Sequence, residues 1–182
     1  MAGAQHYTLP RPEFDRPVKV LIVVAPFYRD IADGLLAGAR AELEAAGATH
    51  ETIEVPGALE IPPAVRIAWR QSNFDGFVAL GCVIRGETSH YETVCNDSSR
   101  GLMLLGLEGA CIGNGILTVE TAEQARVRAD PAGQDKGGGA AAACLHLIAL
   151  ARRFGPPRKG VGFLPRGEDT LMAGGGEGTP TA

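Results

Sequence analysis

Val18-Lys19-Val20-Leu21-Ile22-Val23-Val24-Ala25 decides the fold. Its β-branched residues favour extended chain, and the run has almost no polar face. Such a strand is buried on both sides, as in a parallel sheet covered twice by helices. The next segments agree. Residues 29–46 place Ile31, Leu35, Ala39 and Leu43 at four-residue spacing and stop at Gly47, which predicts an amphipathic helix with a glycine C-cap. Residues 50–55 form a second, more alternating strand. Pro56-Gly57 breaks it, and Pro62 and Pro63 suit the first turn of a helix reaching about residue 71. A third strand covers 74–83, a helix 90–107 with Val94, Leu102 and Leu105 inward, and a fourth strand 111–118. Thr121-Ala122-Glu123-Gln124 has capping-box spacing and opens a short helix to about residue 128. An Ala-rich helix spans 137–154.

Strands alternating with helices imply right-handed β-α-β units. The expected class is α/β, a three-layer α/β/α sandwich with a flavodoxin-like, four-stranded parallel sheet. One domain spans 17–155. Residues 1–16 read as a flexible N-terminal arm, and 156–182, rich in Gly, Pro and charge, as a disordered C-terminal tail. The 182 residues are 45% hydrophobic and 21% charged, ordinary globular usage. A net charge of -4 gives no support to nucleic acid or an anionic membrane as partner. No apolar run approaches the roughly 20 residues that span a bilayer. The start, Met1-Ala2-Gly3-Ala4-Gln5-His6, lacks the basic and apolar regions of a secretory signal, so the expected location is cytoplasmic. Cys82, Cys95, Cys111 and Cys144 form no C-x-x-C pair and no metal-ligand spacing; they read as reduced thiols.

In a parallel sheet, ligands bind on the loops after the strands' carboxyl ends. Here those loops lie around Phe27, at Gly57 to Glu60, at 82–90 and at 114–118. The third carries the most chemistry. Phe77-Val78-Ala79-Leu80 runs into Gly81-Cys82-Val83-Ile84-Arg85-Gly86-Glu87-Thr88-Ser89-His90, which supplies a cation, a carboxylate, a hydroxyl and an imidazole within six residues. Free N–H groups of the turn, with Thr88, suit an anion such as phosphate. His90 begins a helix, and a helix N-terminus favours neutral imidazole, the form that acts as a base. Cys82 heads the same turn, with only His90 nearby to activate it as a nucleophile.

Other positions stay open from the residues alone. Arg128 and Lys136 flank an Asp-Pro-Ala-Gly-Gln-Asp loop; Arg128 either complements a helix dipole or grips phosphate through its planar fork. Arg85 either does the same or makes an ordinary ion pair. Glu60 either accepts hydrogen bonds from a polyol or stabilises a helix start. Phe27-Tyr28 either stacks on a planar heterocycle or packs in the core. Gly113-Asn114-Gly115 lacks the third glycine of a dinucleotide fingerprint, and Gly137-Gly138-Gly139 lacks the Lys-Ser/Thr of a phosphate loop.

Five motifs together resemble the lumazine synthase family over about residues 18–154. They are Val55-Pro56-Gly57-Ala58-Leu59-Glu60-Ile61-Pro62, the run from Ala79 to His90, Gly115-Ile116-Leu117-Thr118, Glu123-Gln124-Ala125 through Arg128, and Lys136-Gly137. The resemblance implies a condensation without cofactor or metal. In it 5-amino-6-(D-ribitylamino)uracil joins 3,4-dihydroxy-2-butanone 4-phosphate, water and phosphate leave, and 6,7-dimethyl-8-ribityllumazine forms. By the same resemblance His90 shuttles protons and Arg128 holds the phosphate, helped by Glu87 and Thr88. Phe27 stacks on the pyrimidine. Ala58, Leu59 and Glu60 bind that substrate, with Glu60 on the ribityl hydroxyls. Cys82, Val83 and Ile84 touch the pyrimidine through backbone. Asn114 lines the pocket from a neighbouring subunit, and Lys136 is a secondary electrostatic helper. Asn114, Leu59 and Glu87 stand where the family more often has an aromatic, a phenylalanine and a small residue. The implied partner is a second copy: a homo-oligomer, here a pentamer with sites between subunits, with larger shells also found in the family. The alternative reading is a flavin- or lumazine-binding paralogue with little turnover.

Overall fold

The computed structural model describes residues 9–155. The order is β1 (Lys19–Val24), α1 (Arg29–Ala45), β2 (Thr49–Glu54), a 3-10 turn (Ala58–Glu60), α2 (Ile61–Gln71), β3 (Gly76–Ile84), α3 (His90–Leu107), β4 (Ile112–Val119), α4 (Ala122–Ala129) and α5 (Lys136–Phe154). The strands make one parallel sheet in the order β2-β1-β3-β4. This is the expected flavodoxin-like α/β class.

Strand β1 explains the layering. Val20, Ile22 and Val24 point to one face, where they meet Leu35, Ala39 and Leu43 of α1 and Ala141, Leu145 and Ile148 of α5. Leu21 and Val23 point to the other, where they meet Ile61 and Val65 of α2 and Leu102 and Leu105 of α3. Residues 20–24 are each at most 3% exposed. Burying one such side chain contributes about 1.5–3 kcal/mol, so a strand without a polar side needs both covers.

The path of the chain then fixes which helix goes where. It steps from β1 outward to β2, returns across β1 to β3, and continues to β4. Connections of one hand put the outward helix on one face and the return helices on the other. Accordingly α1 shares its face with α4 and α5, and α2 with α3.

Local signals act as the sequence predicts at several ends. Gly47, at φ 70°, follows α1. Thr121 Oγ1 accepts from the Gln124 N–H at 3.3 Å, and Gln124 Oε1 accepts from the Glu120 N–H at 2.9 Å. Along α3 the pattern departs from expectation. Leu102 and Leu105 are buried, but Val94 is only half-buried and faces a cleft. Met103, Leu104 and Leu107, on the outer side of that helix, are exposed.

The second half of the expected arm is fastened. Arg11 donates to both carboxylate oxygens of Glu42, at 2.9 and 2.7 Å. Arg152, near the end of α5, donates to the carbonyls of Arg16 and Pro17 at 3.0 and 2.8 Å and lies 5.3 Å over the Phe14 ring. Phe14 itself packs on the core. Residues 1–8 and the tail 156–182 lie outside the described residues.

The triple glycine is a packing device. A Cβ at Gly137 would sit 2.0 Å from the Leu35 carbonyl oxygen of α1. Asp135, in the left-handed region at φ 43°, caps α5 by accepting from the Gly138 N–H at 3.0 Å. The same carboxylate oxygen, Oδ1, occupies the place where a Gly38 Cβ would go, at 2.0 Å. Two helices therefore meet backbone to backbone at the start of α5. Gly139 has nothing within 4 Å of its would-be Cβ. Gly137→Ala should lower stability by about 1–3 kcal/mol through overpacking. Gly139→Ala should leave it unchanged or raise it by up to about 1 kcal/mol through helix propensity. Urea unfolding checks both, and equal effects at the two positions would contradict this packing.

Candidate active site

The crevice forms where the chain reverses its direction across the sheet, between the carboxyl ends of β1 and β3. Register gives it a floor. Strand β1 ends at Val24, opposite Leu80, whereas β3 runs on to Ile84 with only β4 beside it. The Leu80 carbonyl accepts from the Ala25 N–H at 2.9 Å, and the Arg85 N–H donates to the Val119 carbonyl at 3.0 Å. Successive residues of a strand aim their main-chain groups alternately to its two sides. The N–H and C=O of Cys82 and Ile84 therefore face the crevice, where β1 has ended.

The resulting cleft measures about 400 Å³. Ala25, Phe27 and Tyr28 close it after β1, residues 57–60 after β2, and residues 82–84, Gly86, Thr88, His90, Tyr91 and Val94 after β3. Phe27 is 73% exposed, which removes the core-packing reading; its ring stands at the mouth, edge-on to Tyr28 with centroids 5.1 Å apart. Ala58 is buried in the wall and Leu59 half-buried beside it. The Glu60 carboxylate folds back over Gly57: a Cβ there would meet Glu60 Oε2 at 3.0 Å. At the opposite rim His90 is the first residue of α3 and is exposed. Its main-chain N–H approaches the Thr88 hydroxyl oxygen at 3.4 Å.

Nine of the thirteen residues singled out from sequence thus share one cleft: Phe27, Ala58, Leu59, Glu60, Cys82, Val83, Ile84, Thr88 and His90. The other four do not line it. Glu87 is exposed in the same loop but off the wall. Asn114 lies on the outer strand β4, exposed, its side-chain oxygen accepting from the Ile116 N–H at 3.0 Å. Arg128, at the end of α4, and Lys136, at the start of α5, stand elsewhere. The fourth strand-end, expected to contribute at 114–118, does not reach the cleft. Tyr91 and Val94 were missed. With His90 they occupy the first turn of α3, and the i, i+4 spacing of 90 and 94 is the signal that would have found them.

The two arginines left open separate here. The guanidinium of Arg85 is taken: Nε donates to Glu120 at 2.7 Å, Nη1 donates to Glu92, and the group lies 4.1 Å over the Tyr91 ring. One cation between two carboxylates is a poor anion site. Arg128 is half-buried, donates to the Gln124 carbonyl at 3.1 Å, and makes no ion pair among the described residues. It keeps most of its donor fork for something else.

Comparison with known proteins agrees with the geometry. A family model described as 6,7-dimethyl-8-ribityllumazine synthase matches residues 17–152. A protein of that name from Jannaschia sp. (strain CCS1) is 59% identical over 174 residues, spanning 96% of this chain and 98% of its own. Another so named, from Sphingopyxis alaskensis, is 57% identical over 136 residues, 75% of this chain and 96% of its own. The 6,7-dimethyl-8-ribityllumazine synthase 1 of Rhizobium meliloti is 53% identical over 146 residues, 77% of this chain and 95% of its own.

The thiol at the head of the turn has a different character from the imidazole. Cys82 is buried, and desolvation, helped by the charge of Asp30, pushes its pKa up to about 11. Thiolate is the reactive form, so at neutral pH the residue is an apolar wall rather than a nucleophile. Iodoacetamide should label Cys82 of the native protein very slowly at pH 7.5. The rate should rise about tenfold per pH unit towards pH 11 for as long as the fold persists. Peptide mass spectrometry reads this, and fast labelling at pH 7.5 would restore the nucleophile reading.

Proposed function

The chain belongs to the 6,7-dimethyl-8-ribityllumazine synthase family, and we propose how its cleft carries out the condensation for which the family is named. The protein is a transferase of riboflavin biosynthesis. It joins 5-amino-6-(D-ribitylamino)uracil to 3,4-dihydroxy-2-butanone 4-phosphate and releases phosphate and water as 6,7-dimethyl-8-ribityllumazine forms. The observation that carries the site reading is the convergence of His90, an exposed Phe27 ring and strand-free main-chain groups of Cys82 and Ile84 on one cleft.

Each substrate has a matching surface. The uracil ring is flat and edged with amide donors and acceptors. Phe27 offers it a stacking face, and the main-chain groups of Cys82 and Ile84 offer a complementary hydrogen-bonding edge, with Val83 between them turned to β4. Ala58 and Leu59 close around the ring, and the Glu60 carboxylate accepts from ribityl hydroxyls. The butanone phosphate lies nearer Thr88, whose hydroxyl donates to a phosphate oxygen, with the Glu87 N–H beside it. Arg128 provides the bidentate grip on that phosphate and Lys136 a further positive charge.

Chemistry then needs little beyond placement and protons. The aromatic amine attacks the ketone; a proton must leave nitrogen and another must reach the departing hydroxyl as water is lost. Elimination of phosphate and ring closure repeat such transfers. His90, at the rim between the two substrates, is the group that moves them. Holding both reactants is worth about 7–11 kcal/mol, and a positioned acid/base about 10²–10⁴-fold.

The site is shared between subunits. Asn114, Arg128 and Lys136 lie off the cleft of their own chain, and a half-buried arginine that makes no ion pair among the described residues suits an anion. Met103, Leu104 and Leu107 present an apolar stripe on α3 that a second copy would bury. The assembly is a pentamer whose neighbours exchange these residues, and which can stand alone or build a larger shell. The compartment is the cytoplasm, which four free cysteines suit.

His90→Ala should lower kcat for lumazine formation about 10²-fold, leaving a rate above the uncatalysed background. Absorbance of the lumazine reads this, and an undiminished rate would remove the proton-shuttle role. Arg128→Ala should raise KM for the butanone phosphate about tenfold or more, with the KM for the pyrimidine little changed. Binding of riboflavin without product formation in the unmodified protein would move the chain to the binding-paralogue reading.

A further inference from the structure

A proton-transferring histidine has to be aimed. In most such sites a carboxylate or carbonyl holds the second ring nitrogen and fixes the ring's direction and tautomer. Among the described residues the imidazole of His90 makes no hydrogen bond; only its main-chain N–H is engaged, by Thr88. Ser89, at the N-cap position, offers no side-chain bond to the first turn, so one of the usual devices against fraying is missing. The aim of His90 must therefore come from whatever pins that first turn.

One side chain does so. Arg85 leaves the end of β3 and is held at four points. Its N–H donates to Val119 at 3.0 Å, Nε donates to Glu120 at 2.7 Å, Nη1 donates to Glu92, and its guanidinium plane lies 4.1 Å over Tyr91. Tyr91 and Glu92 directly follow His90 in the first turn of α3. Glu120 follows the last residue of β4. The arginine thus bolts the first turn of α3 to the ends of β3 and β4, around the five-residue loop that carries Thr88. We propose that Arg85 is the positioning residue of this site, setting the direction of the His90 imidazole through Tyr91, Glu92 and Glu120.

The three charged side chains are each 40–56% exposed. Exposed ion pairs add little to global stability. A misplacement of about 1 Å at a reacting group, by contrast, can cost as much as 10²-fold in rate. The cluster therefore matters more to the rate than to the fold. It also differs from an anion site: one guanidinium facing two carboxylates leaves an excess negative charge, which repels phosphate.

The inference rests on the proton-shuttle reading of His90, and one double-mutant cycle separates the two. Single-substitution kinetics of Arg85→Ala and His90→Ala are compared with the double variant, using both substrates and recording oligomeric mass and melting temperature. Arg85→Ala should lower kcat about tenfold, leave KM for the butanone phosphate within about twofold, and leave mass and melting temperature close to the parent. In the His90→Ala background the same change should cost nothing further. An unchanged kcat in Arg85→Ala, or losses that multiply in the double variant, overturns the positioning role while leaving His90 in place. A His90→Ala protein with full activity overturns the shuttle reading instead. Should Arg85→Ala fail to assemble, Glu92→Gln carries the test, since it keeps side-chain length and removes only charge. Its severalfold loss of kcat should likewise vanish without His90, and a loss that persists there counts against the proposal.

Discussion

A strand with apolar side chains on both faces can be stable only inside a sheet that is covered twice, and β1 imposes that condition on everything around it. Its two neighbours, β2 and β3, lie on opposite sides, so the chain must leave in one direction and come back in the other. That reversal sends α1 to one face and α2 with α3 to the other. It also parts the loops that follow β1 and β3. A crevice at that point follows from burying residues 20–24 and needs no separate device. Register adds the detail that matters for recognition: β3 outlasts β1 by four residues, so a short stretch of β-ladder edge is left for something other than a strand to complete.

Cations on this surface divide by what they already hold. Arg11, Arg29, Arg66, Arg85, Arg126 and Arg152 all have carboxylate partners. Most of these pairs are exposed and individually weak, but together they commit the positive charge to architecture. Against that background a half-buried arginine such as Arg128, with a single carbonyl bond among the described residues, is informative. Count of charges says little about ligands in a chain of net charge -4; availability says more.

What could be read from sequence was what depends on neighbours along the chain. The two-faced pattern of 18–25, the four-residue spacing from Ile31 to Leu43 and the Thr121 cap gave elements at nearly their observed bounds. Nine candidate residues meet in one cleft because the loops after the strands, whose places the pattern already settled, carry them. The failures were matters of distance. Arg11 finds Glu42 31 residues away, and Arg152 finds Arg16 136 residues away, so a polar arm looked loose. Arg85 stays open between phosphate grip and ion pair until Glu120, 35 residues on, is brought beside it. Arg128 stayed open between a helix dipole and a phosphate, Asn114 and Lys136 took their roles from the resemblance, and the fold of the single chain does not bring any of the three to the cleft.

The contact between α1 and α5 carries a consequence for how this sequence can change through time. The Asp135 carboxylate both caps α5 at Gly138 and fills the space beside Gly38. A side chain at 38 would displace the cap, and a residue other than a short acceptor at 135 would leave the Gly138 N–H without its partner. Positions 38, 135 and 138, the first far from the other two along the chain, thus form one heritable unit. Drift in any of them is blocked until the others move, and among descendants of this sequence they should be replaced together or kept together.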